Sequence, residues 1–417
     1  MLTKSKMLSL LAAVALVVVL AIVPVMTACT ETTETSSPTS TAEPTSEVKT
    51  LKVGALFAQS GFFSARGVPD YNEAKVAEEM INEQGGITVN GQKYEVELVL
   101  EDYKSTMDGV SAATNKLVFD EGVQFIIGPP AMFAPAASPI CESNQVMHMV
   151  TWDVRMPGTV DEDTPYAFLG GSGSLLTTAA CIGYLEQTYP DVEKVAVTSP
   201  DDGSPPYVIP ILRDLLEAAG ISMVGEPMLY PNEMQDFSPI VTKLNAIEEA
   251  DGIFMQNGLV PHIGAIAKGL RETGNNKPYA GSLPARISEV TKIAGEEAMK
   301  DVFTCGYTPD DPNMPPVAKE VIDRTEAKHG EGYQLELTGP NSLWIIKGAI
   351  EAAQSLDPTA VRDELESMDK IETIFGPAKI CGEETCGIGH IVASPQSIQI
   401  LKDGREASAG WFDTSMP

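Results

Sequence analysis

Histidine is scarce in this chain: four residues, His148, His262, His329 and His390, spread widely among 417. There is no Gly-x-Ser-x-Gly elbow, no Gly-x-x-x-x-Gly-Lys-Ser/Thr phosphate loop and no His-Glu-x-x-His. Serine-hydrolase, phosphate-loop and zincin chemistries therefore lack the residues they need. Basic residues are also short: 28 Lys and Arg stand against 58 Asp and Glu, for a formal net charge of −30. A chain this acidic is repelled by nucleic acid and by anionic lipid, which sets both aside as direct partners. Cysteine is limited to six positions, and beside Cys381 and Cys386 only His390 is close as a further Cys or His ligand, short of the four a structural zinc site of that type takes. Acid pairs such as Asp201-Asp202 and Asp310-Asp311 stand in turn-rich contexts and read as solvated loops. The expectation is no metal, no cofactor, no catalytic residue and no enzyme.

What is present begins with an export signal. Lys4 and Lys6 precede a predominantly apolar run from Met7 to Ala28, which ends in Met26-Thr27-Ala28-Cys29. That ending resembles the lipobox of bacterial lipoproteins, which implies cleavage after Ala28 and diacylation of Cys29. The run is also about the 20 residues a bilayer span requires. Pro24, the small residues before Cys29 and the lack of Lys or Arg beyond it favour the cleaved signal over a retained helix. Residues 30 to 50 are almost all Thr, Ser, Glu and Pro. Such a segment cannot build a core and reads as a flexible tether over 29–50.

Beyond the tether, 43% apolar content over this length suffices for two cores. Short β-like runs alternate with amphipathic helical stretches. Strands are predicted at Leu51–Phe57, Tyr94–Leu100, Phe125–Gly128 and Met147–Thr151, and helices at Tyr71–Asn82, Gly109–Glu121 and Ala134–Ser143. The pattern restarts with a helix over Leu175–Tyr189 and strands at Lys194–Thr198, Met223–Met228 and Gly252–Met255. Further helices are predicted at Tyr207–Ala219, Phe237–Glu249 and Pro261–Thr273. This is an α/β class chain, with two doubly wound parallel sheets covered on both faces. In such sheets a ligand sits beyond the carboxyl ends of the strands. Cys381 and Cys386 bracket Gly382-Glu383-Glu384-Thr385, a turn that a disulfide could close in an oxidising compartment. Cys141, Cys181 and Cys305 lie in apolar surroundings and read as buried small hydrophobes.

Several segments carry a family resemblance: Leu51–Val53 followed by Ser60-Gly61, Ile81-Asn82-Glu83-Gln84-Gly85-Gly86-Ile87, Glu101-Asp102, Asn115-Lys116-Leu117-Val118, Val123–Gly128 and Phe375-Gly376-Pro377. Their order and spacing, from about residue 50 to 402, resemble the branched-chain amino-acid type of ABC-transporter substrate-binding lipoprotein. The resemblance implies the type I periplasmic binding protein fold, with two lobes joined by three crossovers near Leu169–Gly171, Cys305–Tyr307 and Gly389–His390. Lobe 1 would take 51–169 plus 307–389 and lobe 2 170–306 plus 390–402, leaving 403–417 as a tail. The glycine run 170–173 then becomes a hinge. The implied function is extracytoplasmic capture of an amino acid or an organic or aromatic acid for delivery to the permease and ATPase of an importer. The same fold also serves as a ligand-sensing module feeding a membrane receptor.

At the ligand site the sequence departs from the family. Loops usually rich in Ser and Thr read Pro129-Pro130-Ala131-Met132-Phe133 and Thr151-Trp152-Asp153-Val154-Arg155. Arg66 stands where an aromatic residue is common, and the family's acid in lobe 2 falls near the uncharged Ser282-Leu283-Pro284. Arg66 and Arg155 could form a fork for a carboxylate, with Trp152, Phe133 and Met132 as apolar surface. Asp153 is the remaining candidate for an amino group. Ser204, Tyr207 and Asn257 complete the expected ligand set from lobe 2. Two ligand classes stay open: an organic acid with an apolar body, and an ordinary amino acid.

Overall fold

The computed structural model describes residues 48–152, 158–171, 173–308, 310–330, 333 and 335–415. The signal sequence, Cys29 and nearly all of the tether lie outside the described residues, as do Asp153 and Arg155. Among the described residues no helix is long and apolar enough to cross a membrane.

Strands and helices alternate as expected. The first lobe opens with β1 (Lys49–Leu56), α1 (Ser64–Glu83), β2 (Ile87–Val89), β3 (Gln92–Glu101), α2 (Met107–Asn115), β4 (Phe125–Pro130), α3 (Ala134–Ser143), β5 (Met147–Thr151) and β6 (Ala167–Leu169). The chain then crosses to the second lobe with α4 (Ser174–Thr188), β7 (Lys194–Pro200), α5 (Pro205–Ala218), β8 (Ser222–Met223), β9 (Met228–Tyr230), α6 (Ser238–Ala246), β10 (Gly252–Met255), α7 (Val260–Glu272), β11 (Tyr279–Gly281), α8 (Ile287–Ala294) and β12 (Val302–Cys305). It returns through α9 (Pro316–His329), α10 (Thr338–Ala353), α11 (Pro358–Ser367), β13 (Ile371–Thr373), β14 (Gly376–Cys381), the one-turn α12 (Glu383–Cys386) and β15 (Ile391–Ala393). It ends in the second lobe with β16 (Gln396–Lys402) and β17 (Arg405–Phe412).

Two sheets result. The first runs β13-β14-β15-β6-β5-β4-β1-β3-β2 and the second β17-β16-β12-β11-β10-β7-β8, with β9 also paired to β7. Their centres are parallel: Val53 is opposite Leu98 in β3, Ala55 opposite Ile127 in β4, and Phe254 opposite Val197 in β7. Every residue of β4 is buried, as a central strand covered by helices on both faces must be. On one face Phe57, Ile81 and Phe125 pack against Leu343 and Ile346 of α10. On the other, Leu56, Ile126 and Val110 pack with Leu117 and Cys141.

Local differences from the sequence expectation have chemical causes. The helix expected over Gly109–Glu121 is capped by Thr106, whose hydroxyl accepts from the Gly109 N–H at 3.0 Å, and it widens into a π turn over Lys116–Asp120. The strand expected at Met223–Met228 is two short strands, β8 and β9, interrupted by Gly225 at φ +71°. Two expectations about the lobes are corrected. His390 belongs to lobe 1: its ring stacks on Phe168 at 3.8 Å and its nitrogens meet Ala167 O and Glu366 Oε1. Ile391 of β15 also pairs with Leu169, so the third crossover falls at Ser394 and Pro395, after β15. The expected tail is instead β17, which runs antiparallel to β16 with Lys402 opposite Arg405. The turn between them is Asp403-Gly404, both at positive φ, a strong hairpin signal at sequence level.

Candidate functional site

The site lies between the lobes, and lobe 1 supplies Arg66 to it. Asp102 ties down the loop after β1, accepting from Gln59 N, Ser60 Oγ and Lys104 N at 2.7–2.9 Å. Partial burial pushes the Asp102 carboxyl up, but these donors outweigh it and hold it below its ordinary value. Gly67 then lets α1 lie against that loop: a Cβ there would stand 2.2 Å from Ala58 O, which only glycine avoids. α1 therefore starts at Ser64, ahead of Pro69 and earlier than the apolar periodicity suggests, and Arg66 sits in its first turn.

The guanidinium carbon of Arg66 lies 4.3 Å from the ring centroid of Trp152, and Nη1 meets Glu336 Oε2 at 3.1 Å. Trp152 follows β5 at φ +48°, an unfavourable backbone state for a bulky residue and one that concentrates at functional sites. Its loop is pinned by the Ala131 N–H, which donates to Thr151 O and Trp152 O.

Glu336 precedes α10 and is held there by acids from α1. Glu73 accepts from the N–H groups of Glu336 and Leu337, and Asp70 accepts from Gly339 N at 2.6 Å and from the Thr338 hydroxyl. Leu337, at the N-cap of α10, has no side-chain oxygen, so Asp70 serves as the cap from another helix. Burial pushes Asp70 up to about 6, although the Thr338 hydroxyl, two backbone N–H groups and Arg66 pull the other way. Burial, and then the Asp70 carboxylate, push Glu73 well above the ordinary range.

Lobe 2 contributes a hydrogen-bonded chain. Thr178 donates to Gln256 Oε1, Gln256 to Asn257 Oδ1, Asn257 Nδ2 to Ser204 Oγ at 3.0 Å, and Ser204 Oγ to Asp202 Oδ1 at 2.6 Å. The Asn257 N–H also reaches Ser282 Oγ at 3.1 Å. Ser204 thus orients Asn257 and Asp202 from behind.

Two chambers meet at Arg66 and Trp152. The smaller, about 180 Å³, is lined by Phe63, Pro130 and Met132 from lobe 1 and by Asp202, Asn232, Asn257, Leu259 and Leu283 from lobe 2. The larger, about 360 Å³, adds Tyr333, Leu335 and Glu336 from lobe 1 and Val260, Pro284, Ala285, Arg286 and Glu289 from lobe 2, with Gly306 and Tyr307 of the second crossover. Of the expected residues, Arg66, Met132, Trp152 and Asn257 line these chambers, and Ser204 stands behind them. Phe133 does not reach them. It is 4% exposed in an aromatic cluster with Tyr103, Phe63 and Phe62, where ring packing outcompetes the cleft. Tyr207 lies exposed on α5, away from both chambers. Cys381 closes β14 and Cys386 ends α12, so both flank the same turn. Sequence reasoning missed Glu336, Tyr333 and Leu335 because they precede a helix rather than follow a strand.

Two α/β lobes with a polar and aromatic cleft at the carboxyl ends of their strands define a solute-binding protein. A model of the family described as periplasmic binding protein matches residues 50–387, and the chain belongs to that family. It is 27% identical over 330 residues to Leu/Ile/Val-binding protein homolog 3 of Brucella melitensis, covering 78% of this chain and 86% of that protein. The fold is similar to a branched-chain amino-acid substrate-binding protein of Streptococcus pneumoniae in complex with isoleucine, with TM-score 0.63 and 20% identity over 88% of this chain and 99% of that one. It is also similar to a solute-binding protein of Rhodopseudomonas palustris in complex with 3,4-dihydroxybenzoic acid, with TM-score 0.62 and 20% identity over 88% and 98%.

Proposed function

We propose that the protein captures an amino acid or an organic acid in the cleft between its lobes and delivers it to an ABC importer of the branched-chain amino-acid type. The observation that carries this reading is the junction of two chambers at Arg66 and Trp152. A guanidinium backed by an indole face presents a planar donor fork to a carboxylate, and the smaller chamber offers Phe63, Pro130, Met132, Leu259 and Leu283 to an apolar body. Arg155 and Asp153, two to four residues beyond β5, are proposed as further ligand contacts. The relatives named for branched-chain amino acids and the neighbour in complex with a benzoic acid support the same range of ligands. The protein works by binding rather than by chemistry.

A thermal-shift screen over branched-chain and aromatic amino acids, their des-amino acids and benzoic acids tests the reading. A ligand that favours the folded state raises Tm, by about 2.7 kcal/mol of stability at a hundredfold excess over Kd. A screen in which no acid of either class raises Tm overturns it.

Cys29 is proposed as the anchor, diacylated outside the cytoplasm and carrying the domain on the Thr- and Ser-rich tether. Replacing it with serine is expected to move the protein from the membrane fraction to the soluble extract. Retention of the variant in membranes after a high-salt wash would return the apolar run to a membrane-spanning helix. Cys381 and Cys386 are proposed to form a disulfide there.

A further inference from the structure

Building on that capture role, we infer that Arg66 and Glu336 together recognise a zwitterion: the ligand's carboxylate pairs with the Arg66 guanidinium and its ammonium group with Glu336. Recognition of the cationic end is thereby assigned to lobe 1.

Three observations lead here. Opposite charges lie side by side in the cleft wall, Nη1 to Oε2 at 3.1 Å, at the junction of the two chambers. An ammonium and a carboxylate on adjacent carbons match that spacing, so a small amino acid can satisfy both groups at once. The Glu336 side chain is only 2% exposed, and a carboxylate so deeply buried keeps its charge only with a cation beside it. Arg66 is that cation in this structure. Its side chain is 30% exposed and rises from the first turn of α1, so it can re-aim, whereas the Glu336 side chain is buried and its main chain is held by Glu73.

The other acids of the cleft fit an ammonium less well. Asp202 spends Oδ1 on the hydroxyl and N–H of Ser204 at 2.6 and 3.0 Å. Glu289 is 46% exposed and takes Lys292 Nζ at 2.6 Å. Leu283, where an acid was expected in lobe 2, lines the smaller chamber with an aliphatic side chain. The indole of Trp152, already against a guanidinium, gives a second attraction for a cation at this point. The ligand class that fits both ends is an α-amino acid with an apolar side chain directed into the smaller chamber.

Calorimetric titration of the full exported protein with matched sets tests this. One set is L-leucine, 4-methylpentanoic acid and 3-methylbutylamine, and another is L-phenylalanine, 3-phenylpropanoic acid and 2-phenylethylamine. In at least one set the amino acid is expected to bind about 30-fold or more tighter than either single-charge analogue. Glu336→Gln is expected to abolish the preference for the amino acid over its des-amino acid. The des-amino acid is expected to bind at least as tightly as to wild type, because the neutral amide neither repels its carboxylate nor holds Arg66 by charge. That retained binding of the des-amino acid also reports an intact cleft. A des-amino acid that binds wild type as tightly as its parent overturns the inference and leaves acid capture standing. So does a Glu336→Gln variant that still prefers the amino acid. Failure of all six probes and of the wider acid screen overturns both the inference and the capture role.

Discussion

Arg66→Ala is expected to weaken binding of a carboxylate-bearing ligand by about 30- to 1000-fold, equivalent to about 2–4 kcal/mol. The guanidinium does three things at once: it meets Glu336, stacks on Trp152 and borders both chambers. Alanine removes the donor fork and leaves a deeply buried carboxylate without its guanidinium. Arg66→Lys is expected to recover only part of the affinity, because an ammonium cannot make planar paired contacts or stack as well on an indole. Titration of both variants with the ligand from the thermal screen gives the comparison. An alanine variant within threefold of wild type would remove Arg66 from the site.

Replacing Asp70 with asparagine is expected to change how stability depends on pH. The folded pKa of Asp70 is raised to about 6, above the roughly 3.9 of an unfolded aspartate. The folded state therefore holds the proton more tightly than the unfolded state. Its stabilising contribution is present at low pH and is lost as pH rises from about 4 through 6. The raised Glu73 acts with the same sign. The asparagine side chain stays neutral, while its amide oxygen can still accept from the Gly339 N–H. Relative to wild type, Asp70→Asn is expected to gain about 2–3 kcal/mol between pH 4 and pH 7. Urea denaturation at several pH values checks this, and a difference that does not vary with pH would show that Asp70 does not titrate in that window. Asp70→Ala is the useful contrast, since it strips the cap from α10 and leaves the Gly339 N–H without its acceptor at every pH.

The two-sheet architecture was legible because β4, β5 and β10 are short, largely apolar runs separated by amphipathic helices, a pattern that parallel sheets covered on both faces require. Met132, Trp152 and Asn257 were legible for the same reason, as residues just beyond such strands. Glu336 was not, because nothing local marks it. It reaches the cleft only through Asp70 and Glu73, which lie far upstream and fasten the start of α10 by main-chain hydrogen bonds. Phe133 misled for a complementary reason: its position beyond β4 suggested the cleft, but Tyr103 at 5.0 Å and Phe63 at 5.9 Å form a better apolar niche. β17 was hidden by its alternating polar residues, although Asp403-Gly404 carried the hairpin signal.

The interleaving of the strands bears on how the molecule is made. Each sheet is written into the chain in two instalments: β1–β6 and then β13–β15 for one, β7–β12 and then β16–β17 for the other. A ribosome working from the amino end delivers β6 with its outer edge unpaired, and Leu169 waits for Ile391 before that edge closes. The edge of β12 likewise waits for β16, where Phe303 pairs with Ile400. Neither sheet has all of its strands until the last part of the chain has been made. The same arrangement makes late truncation costly, because a stop codon shortly after β12 removes an edge from both lobes at once.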